Sequence, residues 1–120
     1  MSRVRNLFTA VLAVSLIAGL AGCAPAKLEV TDKVAIVDVR TPEAFAISHM
    51  EGAINVNYSD PDFMINAAML KPADKFYVYG ETSDQAGEAA SDLMSLGLTK
   101  VTNLGNFEDA QVVLPVGVSK

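Results

Sequence analysis

Short apolar runs and amphipathic stretches alternate from Val34 onward, and this alternation constrains the fold more than any other feature of the chain. The run Val34-Ala35-Ile36-Val37-Asp38-Val39 is largely β-branched and contains one charge, as suits a strand buried on both faces of a parallel sheet. Thr41-Pro42-Glu43 then opens a helix, with Thr41 as N-cap and Pro42 at the first helical position. Ala53-Ile54-Asn55-Val56 reads as a second strand after a turn at Gly52, and Asp60-Pro61 starts a helical stretch over 60–70. Phe76-Tyr77-Val78-Tyr79 is the next strand and stops at Gly80. In the helix predicted over 84–96, Ala86, Ala89, Ala90, Leu93, Met94 and Leu96 lie near a 3.6-residue period, and Gly97 follows as its stop. Val101-Thr102-Asn103-Leu104 is a further strand, and Val112-Val113-Leu114 reads as a last strand or the end of the tail. Strand and helix in alternation predict a single α/β domain with a mainly parallel central sheet and helices on both faces. Such sheets bind ligands at the carboxyl ends of their strands, which directs attention to the loop over 80–84.

The first part of the chain is of another kind. Arg3 and Arg5 precede Asn6, and no charge occurs from there to Ala26. A basic start, an apolar middle and a small-residue end are the features of a secretory signal peptide. The segment ends in Leu20-Ala21-Gly22-Cys23, which resembles the lipobox of bacterial lipoproteins, in which the Cys is lipidated and becomes the first mature residue. One alternative is an uncleaved helix, since these 21 uncharged residues could cross a hydrocarbon layer of roughly 30 Å, but Gly19, Gly22 and Pro25 weaken it; the other is a plain secreted form in which Cys23 is incidental. The expected organisation is a cleaved signal peptide over 1–22, a lipidated N-terminus and short linker over 23–31, and the folded domain over 32–120. The resemblance implies acyl chains on Cys23 as the membrane attachment and no other cofactor. Ala24 lacks the Asp that signals inner-membrane retention in many Gram-negative lipoproteins, so the expected location is the cell envelope, on the periplasmic side of the outer membrane in a Gram-negative cell.

Composition removes several classes. The 120 residues contain one Cys and one His, which excludes a disulfide framework and a structural zinc site. With nine basic against fourteen acidic side chains and a net charge of −5, the chain lacks the footprint that a nucleic-acid backbone requires. Loss of residues 1–22 would remove two of the basic residues and leave a net charge of −7. A chain so acidic is expected to gain its membrane attachment from acyl chains rather than from charge.

Three motifs coincide in order and spacing. Asp38-Val39-Arg40 with Glu43 and Phe45, then His49-Met50-Glu51-Gly52-Ala53-Ile54-Asn55, then Phe76-Tyr77-Val78-Tyr79 with a short loop and an Ala-rich helix ending at Leu96-Gly97, together resemble the rhodanese (sulfurtransferase) homology domain over about residues 32–110. In that family the loop after the central strand begins with a catalytic Cys, which carries sulfane sulfur as a persulfide, and ends with an Arg. By this resemblance Gly80 stands at the Cys position and Gln85 at the Arg position, Ser83 replaces a Gly, Ala86 a Ser and Ala110 a Trp. The departures concentrate in the loop while the framework motifs persist.

Sulfur transfer through a persulfide needs a thiolate, and Gly80 has no side chain. The loop Gly80-Glu81-Thr82-Ser83-Asp84-Gln85 also carries two carboxylates where the family binds an anion. Like charges at about 4 Å near a surface repel by roughly 4 kcal/mol, enough to offset what amides and a helix N-terminus contribute to anion binding. As structure, the same residues fit a helix start: Thr82 and Gln85 as a capping box, Ser83 and Asp84 as alternative N-caps, Glu81 and Asp84 as complements to the positive helix end.

Other candidates read as structural. His49 is expected to be a hydrogen-bonded residue at a turn before a strand, and Asp38 with Arg40 an ion pair holding the following loop. Asp60 and Asp62 fall short of the about 6–8 oxygens that calcium takes, and no metal is expected. Met50, Met64, Met69 and Met94 are expected in the core. The expectation is therefore a catalytically inactive rhodanese-like lipoprotein that acts as a binding module for a protein partner in the envelope. The alternative is an envelope enzyme or small-ligand binder with residual sulfurtransferase-related or other chemistry, through His49 or the acidic loop.

Overall fold

The computed structural model describes residues 26–120. The elements run β1 (Val34–Asp38), α1 (Pro42–Ile47), β2 (His49–Met50), β3 (Ile54–Asn55), α2 (Phe63–Ala67), β4 (Lys75–Gly80), α3 (Ser83–Ser95), β5 (Val101–Asn106), α4 (Phe107–Val113) and β6 (Val118–Ser119). Four strands form a parallel sheet in the order β3-β1-β4-β5, and β2 pairs with β6 as a small antiparallel ribbon. The central strands β1 and β4 bury side chains of both parities, which is why their sequences are apolar without alternation.

Each face of the sheet has its own core. Val37, Phe76 and Val78 pack with Phe63 and Ala67 of α2 and with Ala89 and Leu93 of α3 on one side. Ile36, Tyr77 and Tyr79 pack with Met50, Ala110 and Leu114 on the other, beneath α4 and the ribbon. Ala110, at the position where the family resemblance implies a Trp, is completely buried in this second core.

Several elements differ from the sequence reading. The stretch 60–70 is helical only over Phe63–Ala67, because the Asp60 carboxylate accepts the Asp62 amide at 2.8 Å and holds the start in a turn. Val112 and Val113 end α4 rather than forming a strand, and Leu114 is its C-cap. The helix is started by a capping box in which Asn106 Oδ1 accepts the Asp109 amide at 2.8 Å and Asp109 Oδ2 accepts the Asn106 amide at 3.1 Å. A register shift between Val78 and Tyr79, with Gly105 at φ +91, places Asn106 for this role. Of the four methionines expected in the core, Met50 is buried, whereas Met64, Met69 and Met94 are exposed on the outer faces of their segments. Among the described residues, no helix is long and apolar enough to cross a membrane.

Candidate functional site

The loop after β4 lies at the carboxyl end of the sheet, beside a buried polar framework. That framework starts at Asp38, the last residue of β1, whose carboxylate is fully buried. Asp38 Oδ2 accepts Arg40 Nη2 at 2.7 Å, both carboxylate oxygens accept Arg40 Nε at 3.1 Å, and Oδ1 also accepts the Arg40 amide at 2.9 Å. Arg40 Nη2 donates further to the Ser48 carbonyl at 2.6 Å. The guanidinium carbon lies 4.2 Å from the Phe107 ring centroid and 5.6 Å from that of Tyr79. Cation–π attraction to both rings adds to the ion pair. Burial alone would lower the Arg40 pKa, but hydrogen bonding and charge from Asp38 outweigh it and leave the guanidinium above its ordinary value.

Tyr79 ties this framework to the ribbon. Its hydroxyl accepts the Met50 amide at 2.9 Å, and its ring stacks on Phe107 with centroids 5.6 Å apart. Burial, aided by the Asp38 carboxylate, pushes the phenol well above its ordinary value of 10.0, against the opposing effects of the Met50 amide and Arg40. Asn55 closes the other side, its Nδ2 donating to the carbonyls of Asp38 and Arg40, both at 3.0 Å. The sequence reading paired Asp38 with Arg40 correctly but missed Tyr79, Asn55 and Phe107. A Tyr immediately before the loop was the one available signal for Tyr79.

His49 stands apart from that cluster. Its ring lies flat on Phe45, with centroids 3.7 Å apart and planes 7° apart, and Nδ1 is 2.8 Å from the Phe45 carbonyl oxygen. It belongs to β2, paired with Ser119, rather than to a turn ahead of the strand. Its ring is hydrogen-bonded, as expected.

The loop itself closes on its own side chains. Thr82 is the N-cap of α3, with Oγ1 accepting the Gln85 amide at 3.1 Å, and neither Ser83 nor Asp84 takes that role. Gln85 does not complete a capping box by accepting the Thr82 amide. Its Oε1 instead accepts the Glu81 amide at 2.9 Å, one residue earlier. Gly80 makes that reach possible. A Cβ at residue 80 would lie 2.8 Å from Gln85 Oε1 and 3.2 Å from both the Ala86 amide nitrogen and Val39 Cγ2. Gly80 is not among the residues with positive φ, so the glycine leaves space rather than permitting an unusual backbone. Glu81, Thr82, Ser83 and Asp84 are exposed, which sets two carboxylates at the rim of the loop. Among the described residues there is no cysteine and no group of three His, Cys, Asp or Glu side chains that could hold a metal ion. Cys23 lies outside the described residues.

A parallel sheet in the order β3-β1-β4-β5, with a loop and helix N-terminus after its central strand, is an α/β architecture whose candidate site lies at the carboxyl end of its strands. The family profile of the rhodanese-like domain matches residues 25–109, and the chain belongs to that family. Thiosulfate sulfurtransferase PspE of Escherichia coli (strain K12) is 34% identical over 73 residues, which cover 61% of this chain and 70% of that protein. A solved rhodanese with anions from E. coli is 30% identical, with a TM-score of 0.58 over 72% of this chain and 98% of that one. The Rhodanese_3-like domain of the Anabaena sp. Alr3790 protein is 25% identical, with a TM-score of 0.62 over 72% of this chain and 99% of that one. The chain is therefore a rhodanese-like domain related to thiosulfate sulfurtransferases.

Proposed function

We propose that this rhodanese-like domain does not transfer sulfur and serves as a binding module at the cell envelope, attached to the membrane through acyl chains on Cys23. The observation that carries the reading is the loop after β4. It follows directly on Gly80, the last residue of β4, has no thiol anywhere in it, and sets the Gln85 amide oxygen on the Glu81 N–H. Backbone N–H groups at such a helix start are what would hold an oxyanion, and here a side chain of the same loop takes one of them. The exposed Glu81 and Asp84 carboxylates further oppose an anionic sulfur donor. The surface left at the loop is polar and acidic, which suits a protein partner bearing basic groups. The lipobox-like Leu20-Ala21-Gly22-Cys23 supports the anchor and the envelope location.

Thiosulfate and cyanide supplied to the purified mature protein test the reading: no thiocyanate above the no-enzyme control is expected, and turnover would refute it. Gly80→Cys alone is expected to restore little activity. The new side chain must displace Gln85, and Glu81 and Asp84 remain. Robust turnover from that single change would show that the electrostatic part of the argument is wrong.

A further inference from the structure

The two ends of the parallel sheet carry opposite charge. Lys33 immediately precedes β1, Lys75 begins β4, Lys100 immediately precedes β5, and Lys71 lies in the segment that leads from α2 to β4. Their backbones are neighbours, the Asp74 amide donating to the Lys33 carbonyl at 2.8 Å and the Phe76 amide to the Lys100 carbonyl at 3.0 Å. All four lysines are exposed, and among the described residues the Asp38–Arg40 bridge is the one ion pair, so none of them is neutralised by a direct partner. Lys27 belongs to the same end. Its Nζ donates to the Val112 carbonyl at 2.7 Å, near the C-terminus of α4, which runs back from the carboxyl end of β5. Glu29, Asp32 and Asp74 are interspersed there, so five lysines stand against three acids.

At the opposite end every strand of the sheet leads into acids. Glu43 follows β1, Asp60 and Asp62 follow β3, Glu81 and Asp84 follow β4, and Glu108 and Asp109 follow β5. The basic residue in those segments is Arg40, which is buried against Asp38. At this end the cause is local, because carboxylates complement helix N-termini. Because the helices that follow parallel strands share one direction, these local complements add up to a polarity of the whole domain.

We infer that the lysine-bearing amino end of the sheet is a docking face for an anionic lipid bilayer, with the loop 80–85 and the acidic end turned away from it. The inference rests on the reading of Cys23 as the lipid anchor. Cys23 is four residues before Lys27, a reach of about 14 Å at most whatever the conformation. The chain is pinned from that point on. Besides the Lys27 contact, the Leu28 amide donates to the Val113 carbonyl at 2.8 Å, and the Glu29 carbonyl accepts the Tyr77 hydroxyl at 3.0 Å. The anchor therefore leaves the domain at its lysine-bearing end. A tether that short keeps those lysines close to the headgroups, where an anionic surface potential acts over about 10 Å. Tether and charge favour the same orientation, although the net charge of the domain is negative.

Headgroup quenching of site-specific labels tests this. The full-length acylated protein is purified from membranes, labelled on the new thiol of either Thr99→Cys or Ser83→Cys, and placed in vesicles of phosphatidylglycerol and phosphatidylethanolamine with a quencher on the lipid headgroups. The label beside Lys100 should be quenched about threefold more than the label in the loop, given decay of the surface potential within a Debye length. Equal quenching, or more at residue 83, overturns the inference. Combined Lys33→Glu, Lys75→Glu and Lys100→Glu substitution removes the charge contribution and leaves the tether, so it should lower the ratio at least by half, and an unchanged ratio overturns docking by charge. Mass spectrometry of the N-terminal peptide separates the two readings. A Cys23 without acyl chains overturns the lipoprotein reading together with this orientation, whereas an acylated protein with equal quenching overturns the orientation alone.

Discussion

The Asp38–Arg40 framework and the loop over 80–85 lie at the same end of the sheet, yet they are built on different principles. In the framework, the buried carboxylate accepts from three groups of one arginine, and that arginine also holds the Ser48 carbonyl and faces two aromatic rings. In the loop, the exposed Glu81 and Thr82 and the half-buried Gln85 are joined by single hydrogen bonds, Thr82 to the Gln85 amide and Gln85 to the Glu81 amide. The framework fixes where the loop must be and does not depend on what the loop contains. A rhodanese-like scaffold can therefore persist around a loop that caps itself through Thr82 and Gln85.

Substitutions sharpen this contrast in graded order. Asp38→Ala should have the largest effect, about 3–5 kcal/mol of unfolding free energy in a denaturant titration, because it leaves Arg40 buried without its partner. Tyr79→Phe should cost about 1–3 kcal/mol, since the buried Met50 amide loses its acceptor. That variant also tests the alkaline limb of stability. The folded-state pKa values of Tyr79 and Tyr58 are both raised, so the stability they contribute is full below 10.0 and lost as pH climbs above it. Denaturant titrations at neutral pH and above 10.0 should show a smaller alkaline loss in Tyr79→Phe than in the unaltered protein. In the loop, Thr82→Ala should cost about 1 kcal/mol as a lost N-cap, and Gln85→Ala should stay within about 0.5 kcal/mol because water can reach the Glu81 amide. If Gln85→Ala were as damaging as Tyr79→Phe, the distinction between framework and loop would fail.

Sequence legibility followed the same division. The run from Val34 to Val39 and the Thr41-Pro42 start were readable because burial pattern and cap chemistry act over a few adjacent residues. The β2–β6 ribbon was not, since two-residue strands carry no periodicity and their pairing is set by tertiary contacts such as Tyr79 to Met50. The Asn106–Asp109 capping box was present in the sequence but was obscured by the apolar run Val112-Val113-Leu114, which suggested a strand. Met64, Met69 and Met94 proved exposed because α2 is short and the apolar faces that matter are filled by Phe63, Ala67, Ala89 and Leu93. At the loop, the Thr82 cap was legible, but the partner of Gln85 was not. The choice between the Thr82 and Glu81 amides depends on the space that Gly80 leaves, which only the packed structure defines.

The most direct measurement is the mass of the domain after exposure to thiosulfate, with the chain cut so that residues 26–120 are weighed separately from Cys23. The account predicts no gain of a sulfur atom on that segment and no thiocyanate production. A stable sulfur adduct within residues 26–120, removed by cyanide, would contradict it.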